Sequence, residues 1–217
     1  MLLIDVGGRS TQWALFRGGR LAGNGAVPWG GAHLTADLAH GLRIGLQEAE
    51  QVKRQCGVVL RSLVDEADPL ALFEEEHPVQ SPGLLAAILE PRLEEIFALV
   101  KNDLRDPRLL SGLGRGVVLT GGGSRCRGAA ALCEEVFGLP AVCRYLPPGM
   151  AGDERLGDGQ WATALGLTLW AMRGEEPPRT AVASAGGGET SVPLWHRMRE
   201  RLGRAPRPGG GGPATGR

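Results

Sequence analysis

Two glycine-bearing turns hold the residues of this chain that could do chemistry. The first closes a short apolar run at residues 2–6 and reads Asp5-Val-Gly-Gly-Arg-Ser-Thr11. Its carboxylate (Asp5), glycines (Gly7, Gly8) and hydroxyls (Ser10, Thr11) can present N–H and O–H donors to a phosphate while Asp5 holds a hydrated Mg²⁺. An Asp before glycine is equally an ordinary turn residue. The second turn, Gly121-Gly122-Gly123-Ser124, follows the apolar run at 116–120 and precedes an amphipathic stretch at 125–137 that reads as helix. Three glycines let backbone N–H groups approach a ligand with no Cβ in the way. A helix start behind them offers unpaired donors and a positive dipole end, which suits an anion or a sugar phosphate. Plain turn chemistry is the alternative reading.

The flanking elements follow from hydrophobic pattern. Residues 2–6, 11–16 and 21–27, joined at Gly18–Gly19, read as a β-meander. Residues 33–42 and 46–56 have helical periodicity, with Ala49, Val52 and Cys56 on one face and Gly57 as a C-terminal cap. A strand is expected at 58–64, a loop with at most one strand at 65–81, and helix over 82–104, where Pro91 breaks, kinks or restarts it. The uninterrupted apolar run at 117–119 suits a buried parallel strand. A strand at 141–146, a turn at 147–149 and a helix at 161–172 close the globular part. The fold class expected is α/β.

These motifs, in this order and spacing, resemble the actin-like ATPases. The residues that carry the likeness are Asp5-Val-Gly-Gly-Arg-Ser-Thr, Gly30-Gly-Ala-His-Leu-Thr-Ala-Asp37, Glu48-Ala-Glu-Gln-Val-Lys53 and Val118-Leu-Thr-Gly-Gly-Gly-Ser124. Within that superfamily the chain is most similar to the FtsA family of bacterial cell-division proteins. The likeness runs from about Leu2 to Met172 and covers only the family's second half, opening on the strand that bears the second phosphate hairpin. It implies an actin-like (ribonuclease-H-like) subdomain at 1–30 and 114–173 with an inserted α/β subdomain at 31–113. It further implies ATP and Mg²⁺ as cofactors, held by Asp5, Gly7, Gly8, Arg9, Ser10, Thr11, Gly121, Gly122, Gly123 and Ser124. Glu50 and Lys53, on one helical face, would lie near the ribose and base. A solvated ion pair is the plainer reading of those two residues.

Arg9 and Gln12 depart from the family's Asp-x-Gly-Gly-Gly-Thr-Thr-Asp pattern. If that turn needs a positive φ at residue 9, Arg9 costs roughly 1 kcal/mol or more. Otherwise its guanidinium can reach a phosphate. With one wall of the cleft, a triphosphate stays half solvated, so weakened ATP binding is expected and ATP hydrolysis by this polypeptide alone is not.

The C-terminal region carries a second message. Residues 174–190 are rich in Gly, Pro, Ser and Ala and read as a flexible linker. Over 191–204, Leu194, Trp195, Met198 and Leu202 share one helical face, flanked by Arg197, Arg199, Arg201 and Arg204. Such a helix suits an anionic bilayer interface; docking on the protein's own surface or disorder are the alternatives. Residues 205–217 form a Gly- and Pro-rich tail. The resemblance implies a scaffold on the cytoplasmic face of the membrane at the division septum. Its partners would be the tubulin-like division protein FtsZ, further copies of itself and anionic lipid. The alternatives are a PilM-like pilus-assembly homologue, or a nucleotide-hydrolysing enzyme of the actin and sugar-kinase superfamily.

Composition narrows the classes. Of 217 residues, 24 are Lys or Arg and 24 Asp or Glu, so no net charge points to nucleic acid. Cys56, Cys126, Cys133 and Cys143 make neither a CxxC pair nor a secreted framework, and reduced thiols are expected. With 42% apolar residues the chain can bury a sizeable core. Asp5 follows Met1-Leu-Leu-Ile so closely that neither a signal peptide nor a membrane span is expected.

Overall fold

Leu2, Ile4 and Val6 alternate with more accessible residues, and this period of two builds the central strand, β1 (Leu2–Val6). The computed structural model describes residues 1–64, 82–104, 107–144 and 159–173. The chain divides into two compact units, Met1–Glu175 and Glu176–Arg217, and all described residues lie in the first. β1 turns back antiparallel into β2 (Thr11–Arg17), pairing Val6 with Thr11, and β2 turns at Gly18–Gly19 into β3 (Arg20–Val27). Both turn glycines adopt positive φ, at 55° and 78°, where a side chain would be strained.

The chain then leaves the sheet for α1 (Gly31–Leu42), α2 (Leu46–Cys56) and α3 (Pro82–Asp103). It returns as β4 (Val117–Thr120), parallel to β1, with Asp5 opposite Thr120. After α4 (Ala129–Phe137), β5 (Ala141–Cys143) runs parallel to β4, and α5 (Ala162–Met172) ends the described chain. The sheet order is β3-β2-β1-β4-β5, mixed, with helical crossovers making the parallel pairs. The α/β architecture expected from the sequence is the one observed.

One hydrophobic core joins sheet and helices. Leu2, Ile4, Leu15 and Leu119 are fully buried together with Leu34 and Leu38 of α1 and Leu85, Leu89, Leu93, Ile96 and Phe97 of α3. Each such side chain contributes about 1.5–3 kcal/mol of transfer free energy. Polar ties fix the helices on the sheet. Trp13 Nε1 donates to Asp103 at 2.8 Å, and Arg92 pairs with Asp37 while its guanidinium lies 5.1 Å from the Trp29 ring.

Four expectations need correction. The helix expected over 125–137 starts at Ala129, because the chain is first drawn to the neighbouring segment. Val58 and Arg127 form a parallel bridge, Val59 N–H donates to Arg127 O at 2.9 Å, and Arg127 N–H donates to Gly57 O at 2.8 Å. The strand expected at 58–64 is reduced to that bridge, and a 3₁₀ turn follows at Arg61–Leu63. Gly57 has φ −57°, so it is no left-handed cap; a Cβ there would stand 2.4 Å from Lys53 O. Pro91 lies inside one helix that runs from Pro82 to Asp103. The readings made for 65–81, 145–158, the linker at 174–190, the amphipathic stretch at 191–204 and the tail at 205–217 lie outside the described residues. Those readings include Leu194, Trp195, Arg197, Met198, Arg201 and Leu202.

Candidate functional site

Because β1 and β4 are parallel neighbours, the turns at their C-terminal ends emerge side by side. The Asp5 turn and the glycine loop therefore meet. A Cβ on Gly121 would stand 2.2 Å from Asp5 Oδ1 and 2.6 Å from Val6 O, and one on Gly123 would stand 2.5 Å from Val6 Cγ1. Gly121 also has φ +85°. Only glycine allows this approach, and the two loops are built as one piece.

Together they form the floor of a cleft of about 700 Å³. Of the residues the sequence singled out, Asp5, Gly7, Gly8, Arg9, Ser10, Glu50, Lys53, Gly121, Gly122 and Gly123 line it. Thr11 and Ser124 do not. Thr11 is fully buried and its hydroxyl donates to Trp29 O at 2.8 Å; Ser124 is buried and donates to Gly121 O at 2.8 Å. Both hydroxyls hold the loops in shape. Arg9 lies outside the positive-φ region, so the strain considered for it does not arise, and the residue is exposed and lines the cleft.

The phosphate-type turn is seated on α1. Gly31 N–H donates to Gly7 O at 2.8 Å and Ala32 N–H donates to Gly8 O at 2.7 Å. Gly7 N–H is itself engaged with Asp5 O and Ser10 O. With those carbonyls fixed, the amides of Gly8, Arg9 and Ser10 have no acceptor among the described residues, and the same holds for Gly122 and Gly123. Open amides on two converging glycine loops form a concave donor set for an anion. The donors on the glycine side belong to a 3₁₀ turn (Gly122–Arg125) rather than to the start of α4.

α2 adds Glu50 to the lining of the cleft. Lys53 Nζ donates to Glu50 Oε2 at 2.6 Å, Arg54 donates to Oε1 at 2.8 Å, and the Thr35 hydroxyl lies 2.5 Å from Oε2. Burial alone would raise this carboxyl, but the three donors outweigh it and hold its pKa at about 2. Glu50 is therefore a carboxylate with spare acceptor capacity turned to the cleft. Asp5 supplies the second carboxylate; its Oδ2 accepts from Thr163 of α5 at 2.7 Å. No cluster of three acidic, His or Cys ligands occurs among the described residues.

Sequence reasoning missed Arg54, Arg125, Gln160 and Thr163, which also line the cleft. Arg54 and Arg125 directly follow residues already singled out, so their position was a usable signal. Thr163 lies 158 residues from Asp5 and has no local signature. The four cysteines are unpaired thiols, and burial pushes Cys126 up to about 11 and Cys133 up to about 12. No described helix is long and apolar enough to cross a membrane.

Solved structures share this fold. MreB5 of Spiroplasma citri bound to AMPPNP superposes with a TM-score of 0.61 at 22% identity, covering 79% of this chain and 52% of that one. A PilM–PilN type IV pilus biogenesis complex superposes with a TM-score of 0.56 at 25% identity, over 81% of this chain and 46% of that one. Among curated proteins, the cell division protein FtsA of Bacillus subtilis is 35% identical over 177 residues, 79% of this chain and 38% of its own length. FtsA of Pseudomonas aeruginosa is 28% identical over 204 residues, 91% of this chain and 49% of its own length. The chain thus spans half or less of the length of these relatives. The family model described as "Cell division protein FtsA" matches residues 2–166. The converging loops, the mixed sheet that carries them and this match over most of the sequence agree: the chain belongs to the FtsA family of actin-like cell-division proteins.

Proposed function

We propose that this protein is an FtsA-type division scaffold whose cleft binds ATP weakly, whose globular part binds the FtsZ polymer and whose C-terminal region ties it to the cytoplasmic membrane at the septum. The observation that carries the nucleotide reading is the shared mouth of the two glycine loops. Five open amides stand there, and Glu50 lines the same cleft. A nucleoside triphosphate fits that donor set. The amides of Gly8, Arg9, Ser10, Gly122 and Gly123 would take its phosphates, and Glu50 would accept from the ribose hydroxyls. Asp5 would hold a hydrated Mg²⁺ through the capacity that Thr163 leaves free. The bound ion would screen charge between the phosphates.

The grip is weak because three expected contacts are spent inside the protein. The Thr11 and Ser124 hydroxyls donate to backbone carbonyls, and the Lys53 ammonium is fully engaged. An exposed Arg9 offsets part of that loss with its positive charge.

The membrane reading rests on the sequence at 191–204. Leu194, Trp195, Met198 and Leu202 make an apolar stripe, with Arg197 and Arg201 at its edges toward anionic headgroups. A single short helix holds a bilayer poorly, so self-association supplies avidity. Co-sedimentation with phosphatidylglycerol-containing vesicles tests this, using the full chain and a version ending at residue 190. Tail-dependent pelleting, and vesicle recruitment of FtsZ polymer by the full chain only, are the expected results. Equal pelleting of both chains contradicts the tether.

A further inference from the structure

Arg125 and Arg127 stand two residues apart with buried Cys126 between them. Cys126 is extended, at φ −56° and ψ 132°, so the two arginines, both exposed, share the opposite side of the chain. Backbone pairing then locks this segment beside the end of α2. Arg127 N–H donates to Gly57 O at 2.8 Å, and Arg127 O accepts from Val59 N–H at 2.9 Å. Arg54 and Cys56 of the last turn of α2 are thereby brought to Arg125 and Arg127. The next residue, Gly128, has φ +92°, and a Cβ there would stand 2.9 Å from Leu60 Cβ and 3.1 Å from Leu63 Cδ1. Glycine lets the 3₁₀ turn close in on the same junction.

A second cavity, of about 220 Å³, opens there. Its lining includes Arg54, Arg125, Arg127, Cys56, Val58 and Leu63, and no Asp or Glu among the described residues. Arg54 is paired with Glu50 at 2.8 Å, whereas the Arg127 guanidinium has no partner among the described residues. Arg54 and Arg125 also line the larger cleft; Cys56, Val58, Leu63 and Arg127 do not. The volume is well below that of the cleft, which excludes a nucleotide. A guanidinium stays charged and matches a carboxylate with two parallel N–H donors. Val58 and Leu63 offer only apolar surface. A few polar groups over an apolar lining fix a ligand by its polar end.

We propose that this cavity binds a small organic acid, a carboxylate on a short apolar body, held by Arg127 and Arg125 with its apolar end against Val58 and Leu63. The inference is independent of the nucleotide reading, since it needs no anion in the larger cleft.

The cysteines supply the reporters. Cys56 lines this cavity only, Cys126 lines the larger cleft only, and Cys143 lines neither. The full chain is alkylated with iodoacetamide at mildly alkaline pH, and each thiol is followed by mass spectrometry with hexanoate, hexanamide or inorganic phosphate present. Hexanoate should slow labelling of Cys56 saturably, by about threefold or more, and leave Cys143 unchanged. Hexanamide has the body without the charge and phosphate the charge without the body, so both should protect far less. Arg127→Gln keeps the backbone pairing, and its half-protection should need about tenfold more hexanoate. Unslowed labelling of Cys56, or equal protection by hexanamide or by phosphate, overturns the site, and these arms need no variant to fold. An Arg127→Gln protein of unchanged thermal midpoint and unchanged half-protection overturns it as well. Protection of Cys126 in place of Cys56 puts the acid in the larger cleft and likewise contradicts the proposal.

Discussion

Two glycines of one loop separate conformation from contact. Gly121 is held at φ +85° against Asp5 Oδ1 and Val6 O, whereas Gly122 is exposed, has no atom within 4 Å of a built Cβ and no positive φ. Gly121→Ala should cost about 2–4 kcal/mol, combining left-handed strain with overpacking. Gly122→Ala should change stability by no more than about 0.5 kcal/mol. Urea denaturation of both variants checks the pair, and equal effects would contradict the close approach of the two loops. Glu50 gives a pH signature. Its carboxyl is held at about 2, below its ordinary value of 4.5, because Lys53, Thr35 and Arg54 outweigh the cost of burial. A depressed acid stabilises the fold above its unfolded pKa and loses that contribution as pH falls through the folded one. The destabilisation of Glu50→Gln should therefore be largest at neutral pH and shrink between pH 4.5 and about 2. Denaturation curves at pH 7 and pH 3 measure it, and an unchanged difference would show that the carboxylate is not held by its donors.

Among the elements, α3 invites the clearest test. Pro91 is exposed inside a helix that continues to Asp103, so Ala87 O lacks the amide that would normally reach it. Pro91→Ala restores that donor and should stabilise the protein by about 1 kcal/mol or more. A fall in thermal midpoint would mean that the ring shapes α3 for its packing. The strands and most helices were legible because their periods of two and 3.6 are strong, and both glycine loops because turn chemistry is local. What stayed hidden was decided by distant pairing. The late start of α4 and the missing strand at 58–64 share one cause, the bridge between Val58 and Arg127, which sequence spacing does not encode. The same holds for the side chains. Glu50 could be placed near the cleft, but the capture of Lys53 by Gly31 and Thr35 needs α1 folded against α2.

At the scale of the molecule, the sheet order explains why a site exists. Placing β1 beside β4 in parallel brings a turn at residues 7–10 next to a loop at 121–124, across more than a hundred residues of chain. That meeting point is predicted to be an anion site within an FtsA-family fold. The most direct measurement is a titration of the full chain with a fluorescent ATP analogue and Mg²⁺, beside Gly122→Asp, whose side chain enters open space at the loop. Saturable binding by the wild type is predicted, weakened by about tenfold or more in a Gly122→Asp protein of unchanged thermal midpoint. Equal affinity in the two proteins, or no saturable binding in the wild type, would contradict it.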